Sequence, residues 1–169
     1  TNIGRCIDSL MPVADEIIVV DCFSTDSTKE ICLSRGVKFF ENEFLGFANQ
    51  KNFAASLGSC DYILSLDADE YLSDILVKEI LLGLNRQSHA INGIYVKRKI
   101  IFLGKIIRFG GVGNISVLRL FRFGSGKAEN RLMDEHIVIN GKTKTCTDDI
   151  SRFTTDSELQ RSLFKQSTS

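Results

Sequence analysis

The feature that most constrains the fold of this chain is the alternation of short apolar runs with helix-like segments in its first half. The runs are rich in β-branched and aromatic residues, which is typical of strands in a parallel sheet. They occupy residues 16–21, 37–41 and 61–66. Segments with helical apolar spacing or with helix caps lie around them, at residues 3–10, 27–35, 50–57 and 73–84. Such alternation predicts an α/β fold with a parallel sheet.

Capping residues place the ends of these helices. Ser27 and Glu30 are spaced as a capping box, and Gly36 follows as a stop. Ser73 is the predicted cap of the last helix, whose apolar stripe comprises Leu76, Val77, Ile80, Leu81 and Leu84.

The second half has strand-like runs without helices between them. They are residues 94–101, 102–109, 117–121, 137–140 and 142–147. The pair Asn140-Gly141 is typical of a hairpin turn. We therefore expect an antiparallel or mixed sheet here. Residues 151–169 have weak periodicity and are predicted to be a frayed helix or disordered.

Composition excludes several classes of protein. The 169 residues suffice for one domain, and equal numbers of acidic and basic residues argue against a nucleic-acid binder. Five cysteines without a CxxC pair indicate a reduced, cytoplasmic setting. Two histidines leave any metal to oxygen ligands. No apolar run approaches the roughly 20 residues that span a bilayer.

Charge is sorted along the chain. Residues 97–131 contain 9 cations and 1 anion, whereas residues 1–96 contain 7 cations and 14 anions. The cations of this basic block are Lys97, Arg98, Lys99, Lys105, Arg108, Arg119, Arg122, Lys127 and Arg131. A solvated sheet face explains most of them. The alternative is a surface for a diphosphate, an anionic acceptor or acidic lipid headgroups.

Asp67 and Asp69 directly follow the third predicted strand. The carboxyl edge of an α/β sheet is where such folds bind ligands, and neighbouring carboxylates repel one another unless a cation lies between them. Mg²⁺ or Mn²⁺ would meet that need. Alternatively, these acids cap the following helix or are solvated.

Three further groups are candidates for the same crevice. Asp21 ends the first predicted strand and can accept hydrogen bonds from a base or ribose. Lys51 and Asn52 lie in a helix from which they could reach a phosphate or base. In Asp134-Glu135, either carboxylate could serve as a general base.

Five segments in order resemble family 2 glycosyltransferases: DEIIVVDCFSTDST, GFANQKNFA, GSCDYILSLDADEYLSD, GG followed by LRLFRFGSGK, and MDEH. The resemblance covers about residues 2–141 and is closest to bacterial glucosyl and heptosyl transferases of lipopolysaccharide-core and capsule assembly. It implies a GT-A fold, with a nucleotide-binding half at 1–90, an acceptor half at 91–150 and a tail at 151–169.

The resemblance also implies a function and a site. A sugar would pass with inversion from a nucleotide-sugar donor to a saccharide or lipid-linked acceptor, in the cytoplasm at the inner membrane face, with Mg²⁺ or Mn²⁺. Asp21 would contact the nucleoside, and Lys51 and Asn52 would lie near the nucleotide. Asp67 and Asp69 would be the DxD carboxylates, with Asp69 the direct metal ligand. Glu135 is the candidate base and Asp134 its alternative.

The chain departs from the family pattern at three places. The family's first strand should precede Ile3 and is missing, and the pattern is lost after Thr147. Phe23 stands where glycine is common, so it is expected to alter the backbone of that turn. We therefore expect a fragment or degenerate copy.

Two alternatives remain open. One is an inactive remnant that binds a membrane or a partner through residues 97–131. The other is a haloacid-dehalogenase-like phosphatase with Asp67 as nucleophile, although that motif has Thr or Val where Glu70 stands.

Overall fold

The computed structural model describes residues 2–87, 91–103, 105–107, 115–130 and 135–153. Within them it shows a mixed α/β fold, which confirms the predicted fold class. Helices and strands alternate in the first half, and strands follow one another after residue 93.

The first half opens with a small parallel unit. Its elements are α1 (Asn2–Leu10), β1 (Ile18–Asp21), α2 (Thr28–Ser34), β2 (Lys38–Glu41) and α3 (Phe47–Ser56). Strands β1 and β2 pair in parallel, with Ile18 opposite Lys38 and Asp21 opposite Glu41. Ile3, Ile7, Cys32 and Val37 form the core beneath them. Helical spacing on α1 therefore buries one face, as predicted.

A larger mixed sheet contains strands from both halves of the chain. The remaining elements are β3 (Tyr62–Leu64), β4 (Glu70–Leu72), α4 (Asp74–Gln87), β5 (Gly93–Phe102), β6 (Lys105–Ile107), β7 (Ile115–Arg122), β8 (Gly126–Asn130), β9 (Glu135–Ile139) and β10 (Thr143–Phe153). The strand order is β3-β7-β5-β10-β4, with β6 beside β5. β5 is antiparallel to β7 and parallel to β10. This confirms a mixed second half.

Helix α4 covers the main core of this sheet. Leu76 and Ile80 of α4 pack with Val96, Leu120 and Ile150 from three strands. The Ser73 hydroxyl accepts a hydrogen bond from the Leu76 N–H at 3.1 Å, as the predicted cap should. Leu81 is 40% exposed, so the buried face of α4 is narrower than the predicted apolar stripe. No helix of the described ranges has both the length and the hydropathy of a bilayer span.

A cleft separates the β1-β2 sheet from the larger sheet, and β8 and β9 form a third, two-stranded sheet. Across the described residues β1 pairs with β2 alone and β3 with β7 alone, so each leaves one edge without a strand partner. Both strands line a cavity of about 620 Å³, together with apolar residues of α1 and α3.

Several local predictions were wrong. Ser27 makes no side-chain cap bond; the Asp26 carboxylate accepts the Thr28 N–H instead, at 2.9 Å. Asn140-Gly141 does not close a hairpin, because β9 pairs with β8 while β10 pairs with β5 and β4. Residues 151–153, assigned to the tail, end strand β10; residues 154–169 lie outside the described ranges.

Candidate functional site

The DxD turn connects β3 and β4, which are consecutive in the chain and lie at opposite edges of the main sheet. β3 ends at Leu64 and β4 begins at Glu70, so Asp67 and Asp69 lie at the carboxyl end of β3, as predicted. The Glu70 N–H donates to the Asp67 carbonyl oxygen at 2.9 Å, and the Asp67 N–H donates to Glu70 Oε2 at 3.1 Å. These two reciprocal bonds fix the backbone of the turn.

Two cations hold the Asp67 carboxylate. Lys51 Nζ, from α3, lies 2.9 Å from Oδ1, and Arg119 Nη2, from β7, lies 3.2 Å from Oδ2. The structure thus brings Lys51 and Asp67 together; that Lys51 lies near a nucleotide stays a prediction. Arg119 is only 5% exposed, so it does not belong to a solvated cationic face.

Glu70 is the buried partner of Arg119. The Glu70 side chain is 1% exposed, and its Oε1 accepts from Arg119 Nη2 at 2.7 Å. Burial raises the pKa of Glu70 above its usual range, and the positive charge of Arg119 opposes that rise. The pairing of Glu70 with Arg119 was not predicted from the sequence; the available signal was an arginine flanked by Leu118 and Leu120 in a buried strand.

Asp69 is half-buried and lies two residues beyond Asp67. No three His, Cys, Asp or Glu side chains of the described part of the chain are grouped to hold a metal ion. A site for Mg²⁺ or Mn²⁺ here would therefore use one or two carboxylates, with phosphate and water oxygens as the other ligands, which is usual for Mg²⁺. Asp69 fits this donor set, and Asp67 fits it once Lys51 releases its Oδ1.

Asp21 closes its own loop at the end of β1. Its carboxylate accepts the Ser24 N–H at 2.7 Å and the Ser24 hydroxyl at 2.6 Å. Phe23, inside this loop, has φ +60°, a left-handed conformation that disfavours bulky residues. Phe23 therefore has a backbone conformation that glycine adopts readily; that it alters the turn stays a prediction.

Asn52 ties α3 to β8. Its Nδ2 donates to the Ala128 carbonyl oxygen at 2.8 Å, and its Oδ1 accepts the Ala128 N–H at 2.8 Å. The side chain thus satisfies both backbone groups of one strand residue. Asn52 also lines the cavity beside Lys51 and Asp67; its contact with a nucleotide stays a prediction.

The remaining predicted site residues are only partly described. Glu135 begins β9, where its Cα pairs with that of Asn130. Asp134 lies outside the described residues, as do Arg108 and Arg131 of the basic block.

The basic block does not form one surface. Lys97, Lys105 and Lys127 are exposed, whereas Arg119 is buried. Arg122 packs over the Tyr62 ring, 5.2 Å from its centroid, and donates to the Tyr62 hydroxyl at 3.1 Å. A contact with anionic lipid through this block remains a proposal for its exposed lysines.

The fold is of the GT-A class. One solved structure, the glucosyl-3-phosphoglycerate synthase of Mycobacterium tuberculosis in complex with Mn²⁺, UDP and phosphoglyceric acid, superposes with a TM-score of 0.62. The superposition covers 98% of this chain and 71% of that one, at 15% identity.

The chain belongs to glycosyltransferase family 2. The family model described as Glycosyl transferase family 2 matches residues 1–105. The lipopolysaccharide core biosynthesis glycosyltransferase LpsC of Rhizobium meliloti is 34% identical over 145 residues, which cover 82% of this chain and 53% of LpsC. An uncharacterised glycosyltransferase of Rickettsia conorii is 45% identical over 80 residues, which cover 47% of this chain and 28% of that protein.

These matches also bear on the length of the chain and on the alternatives. The chain spans about half the length of LpsC and less than a third of the rickettsial protein. Membership of a transferase family removes the phosphatase alternative.

Proposed function

We propose that this protein transfers a sugar, with inversion, from a nucleotide-sugar donor to a saccharide or lipid-linked acceptor in cell-surface polysaccharide biosynthesis. The observation that carries the proposal is the Asp67-Ala68-Asp69 turn at the carboxyl end of β3, beside a cavity and next to Lys51. The family, the name of the LpsC relative and the Mn²⁺ and UDP bound to the mycobacterial structure support it.

Donor binding is assigned to groups at the ends of β1 and β3 and in the middle of α3. Asp21 would accept hydrogen bonds from the nucleoside, and Lys51 and Asn52 would lie beside the nucleotide. Asp69, with Asp67, would hold Mg²⁺ or Mn²⁺. When bound, that cation would offset the charge of the departing nucleoside diphosphate.

Transfer needs a base on the acceptor side. Glu135 would accept the proton of the acceptor hydroxyl as that oxygen attacks the anomeric carbon, and the diphosphate would leave from the opposite face. Asp134 is the alternative base. The products are an inverted glycoside and a nucleoside diphosphate.

The partners follow from the same chemistry. Lys97, Lys105 and Lys127 are exposed cations that could contact anionic headgroups at the inner face of a bacterial membrane. Such a contact would bring a lipid-linked acceptor to the site and would place the protein in the cytoplasm.

The test separates donor binding from transfer. We expect Asp69→Ala to abolish Mn²⁺-dependent binding of UDP-sugars in isothermal calorimetry, because it removes the metal carboxylate. Asp74→Asn is the matched control, since Asp74 is an exposed acid five residues away in the first turn of α4. Unchanged metal-dependent affinity in Asp69→Ala would contradict the proposal.

A second variant addresses the base. Glu135→Gln should bind the donor with wild-type affinity and fail to transfer the sugar, as followed by release of the nucleoside diphosphate. If Glu135→Gln transfers at the wild-type rate and Asp134→Asn does not, the base is Asp134.

A further inference from the structure

We propose that Glu70 and Arg119 are positioning residues for donor binding, which act by fixing the carboxylate of Asp67. The inference rests on the proposed function. It concerns two side chains on different strands, β4 and β7, that lie behind the DxD turn.

The pair closes a ring of polar contacts around Asp67. Glu70 uses one carboxylate oxygen to accept from Arg119 and the other to accept the Asp67 N–H. Arg119 Nη2 then reaches Asp67 Oδ2. Both the backbone and the side chain of Asp67 are therefore fixed by the same two residues.

The ring also determines which group the other carboxylate oxygen of Asp67 contacts. With Oδ2 at the Arg119 guanidinium, Oδ1 lies 2.9 Å from Lys51 Nζ. The Lys51 side chain is 14% exposed at the cavity. Arg119 and Glu70 thus set the position of a cation at the donor cavity without lining that cavity themselves.

Stability alone does not account for this arrangement. Among the residues that the structure describes, the buried charged side chains are Glu70 and Arg119. Removing two charges from water is costly, and a well-packed apolar pair is often as stable as a buried ion pair. A purely structural role could therefore be filled by two apolar side chains, whereas a positioning role could not.

The double variant Glu70→Met/Arg119→Met tests this distinction. It removes both charges together, so no buried charge is left without its counterion. Methionine does not accept the Asp67 N–H, so we expect a folded protein whose thermal unfolding midpoint falls by roughly 2–12 °C. Affinity for UDP-sugars with Mn²⁺ should nevertheless fall by about 10- to 100-fold, the usual effect of losing a group that orients a ligand.

Two further measurements keep the test decisive. Acetylation of Lys51 by acetic anhydride, mapped by mass spectrometry, should rise in the double variant because Asp67 no longer holds the ammonium group. Arg119→Lys keeps a cation but loses the planar fork, so it should also weaken donor binding. It serves in place of the double variant if that protein does not fold.

A matched control replaces an ion pair away from the site. Asp8→Met/Arg35→Met removes the exposed pair between α1 and the end of α2, in which Arg35 Nε lies 2.7 Å from Asp8 Oδ1. Donor affinity should not change. The inference is overturned if folded Glu70→Met/Arg119→Met or folded Arg119→Lys binds the donor with an affinity within about twofold of wild type, which is far smaller than the expected loss. Absence of any donor binding by the wild-type protein would instead contradict the proposed function.

Discussion

Replacing Asn52 by alanine is expected to destabilise the fold by about 2–3 kcal/mol. The side chain makes two hydrogen bonds of 2.8 Å to the backbone of Ala128, one as donor and one as acceptor. Each such bond has a net contribution of about 0.5–1.5 kcal/mol. Because Ala128 is 6% exposed, its freed N–H and C=O would be poorly hydrated, which places the total toward the upper end.

Thermal and urea denaturation would measure this loss. For a chain of this length, about 2–3 kcal/mol corresponds to a fall in Tm of roughly 4–12 °C. Asn52→Asp is a useful second variant, because it keeps the acceptor for the Ala128 N–H and loses the donor to the Ala128 oxygen. We expect it to be at least as destabilising as alanine, since a carboxylate oxygen would then face a carbonyl oxygen.

Asn49→Ala is the matched control for Asn52→Ala. Asn49 is an exposed residue of the same helix, and its Nδ2 donates to the Leu45 carbonyl oxygen at 2.8 Å. We expect its stability to change by less than about 0.5 kcal/mol, as for most surface substitutions. If Asn52→Ala is as stable as Asn49→Ala and yet loses donor affinity, Asn52 contacts the donor, and the argument that its two bonds to Ala128 stabilise the fold is refuted.

Two further predictions concern the loop after β1 and the cysteines. Phe23→Gly should raise the free energy of unfolding in urea by about 0.5–1 kcal/mol, because it relieves a left-handed backbone and Phe23 is already 60% exposed. The control Leu45→Gly replaces a 67% exposed side chain that has no positive φ, so it should lower the free energy of unfolding. Equal losses of stability in both variants would contradict backbone strain at Phe23. With maleimide at pH 8, exposed Cys22 should react first, whereas Cys6 should stay unmodified until the protein unfolds. Burial and nearby carboxylates raise the pKa of Cys6 to about 12, so little of its thiol is in the reactive thiolate form. Equal rates of modification of Cys22 and Cys6 by mass spectrometry would contradict this prediction.

The first half of the fold could be predicted because its elements are specified locally. α1, β1 and β2 follow apolar patterns that the sequence shows directly, and α2 follows from its capping residues and the glycine after it. The third predicted strand is different, because β3 is antiparallel to β7 in the larger sheet and does not extend the parallel pair. β4 was not predicted, because its three residues form a strand only through pairing with β10, about 80 positions later in the chain. β8 was missed for the same reason: its composition is poor in strand formers, and it is held by β9 and by Asn52.

The site divides in the same way. Asp21 and Asp67 were predicted to share one crevice, because both follow strands at the carboxyl edge of the sheet; the contact of Lys51 with Asp67 was not predicted. Arg119 was assigned to a cationic surface, because nine cations between residues 97 and 131 made a solvated face the simplest interpretation. Its burial depends on Glu70, 49 residues away, and that pairing has no signal in local periodicity.

The cleft between β1 and β3 connects the fold to the site. Asp21 ends one of these strands, and Asp67 follows the other. Within the described part of the chain, side chains link the two sheets: the Glu16 carboxylate accepts the Ser59 N–H at 3.0 Å, and the Cys6 thiol donates to the Asp67 carbonyl oxygen at 3.7 Å. A donor that contacts both acids would span this cleft. The distance between Asp21 and Asp67 would then be set by side-chain contacts such as these, by the Leu72 N–H bond to the Ser9 hydroxyl and by apolar packing of Leu10 and Val13 against the main core, since no ladder of backbone hydrogen bonds joins β1 to β3 in the described residues. Donor affinity should therefore depend on the integrity of the cleft as much as on the carboxylates themselves.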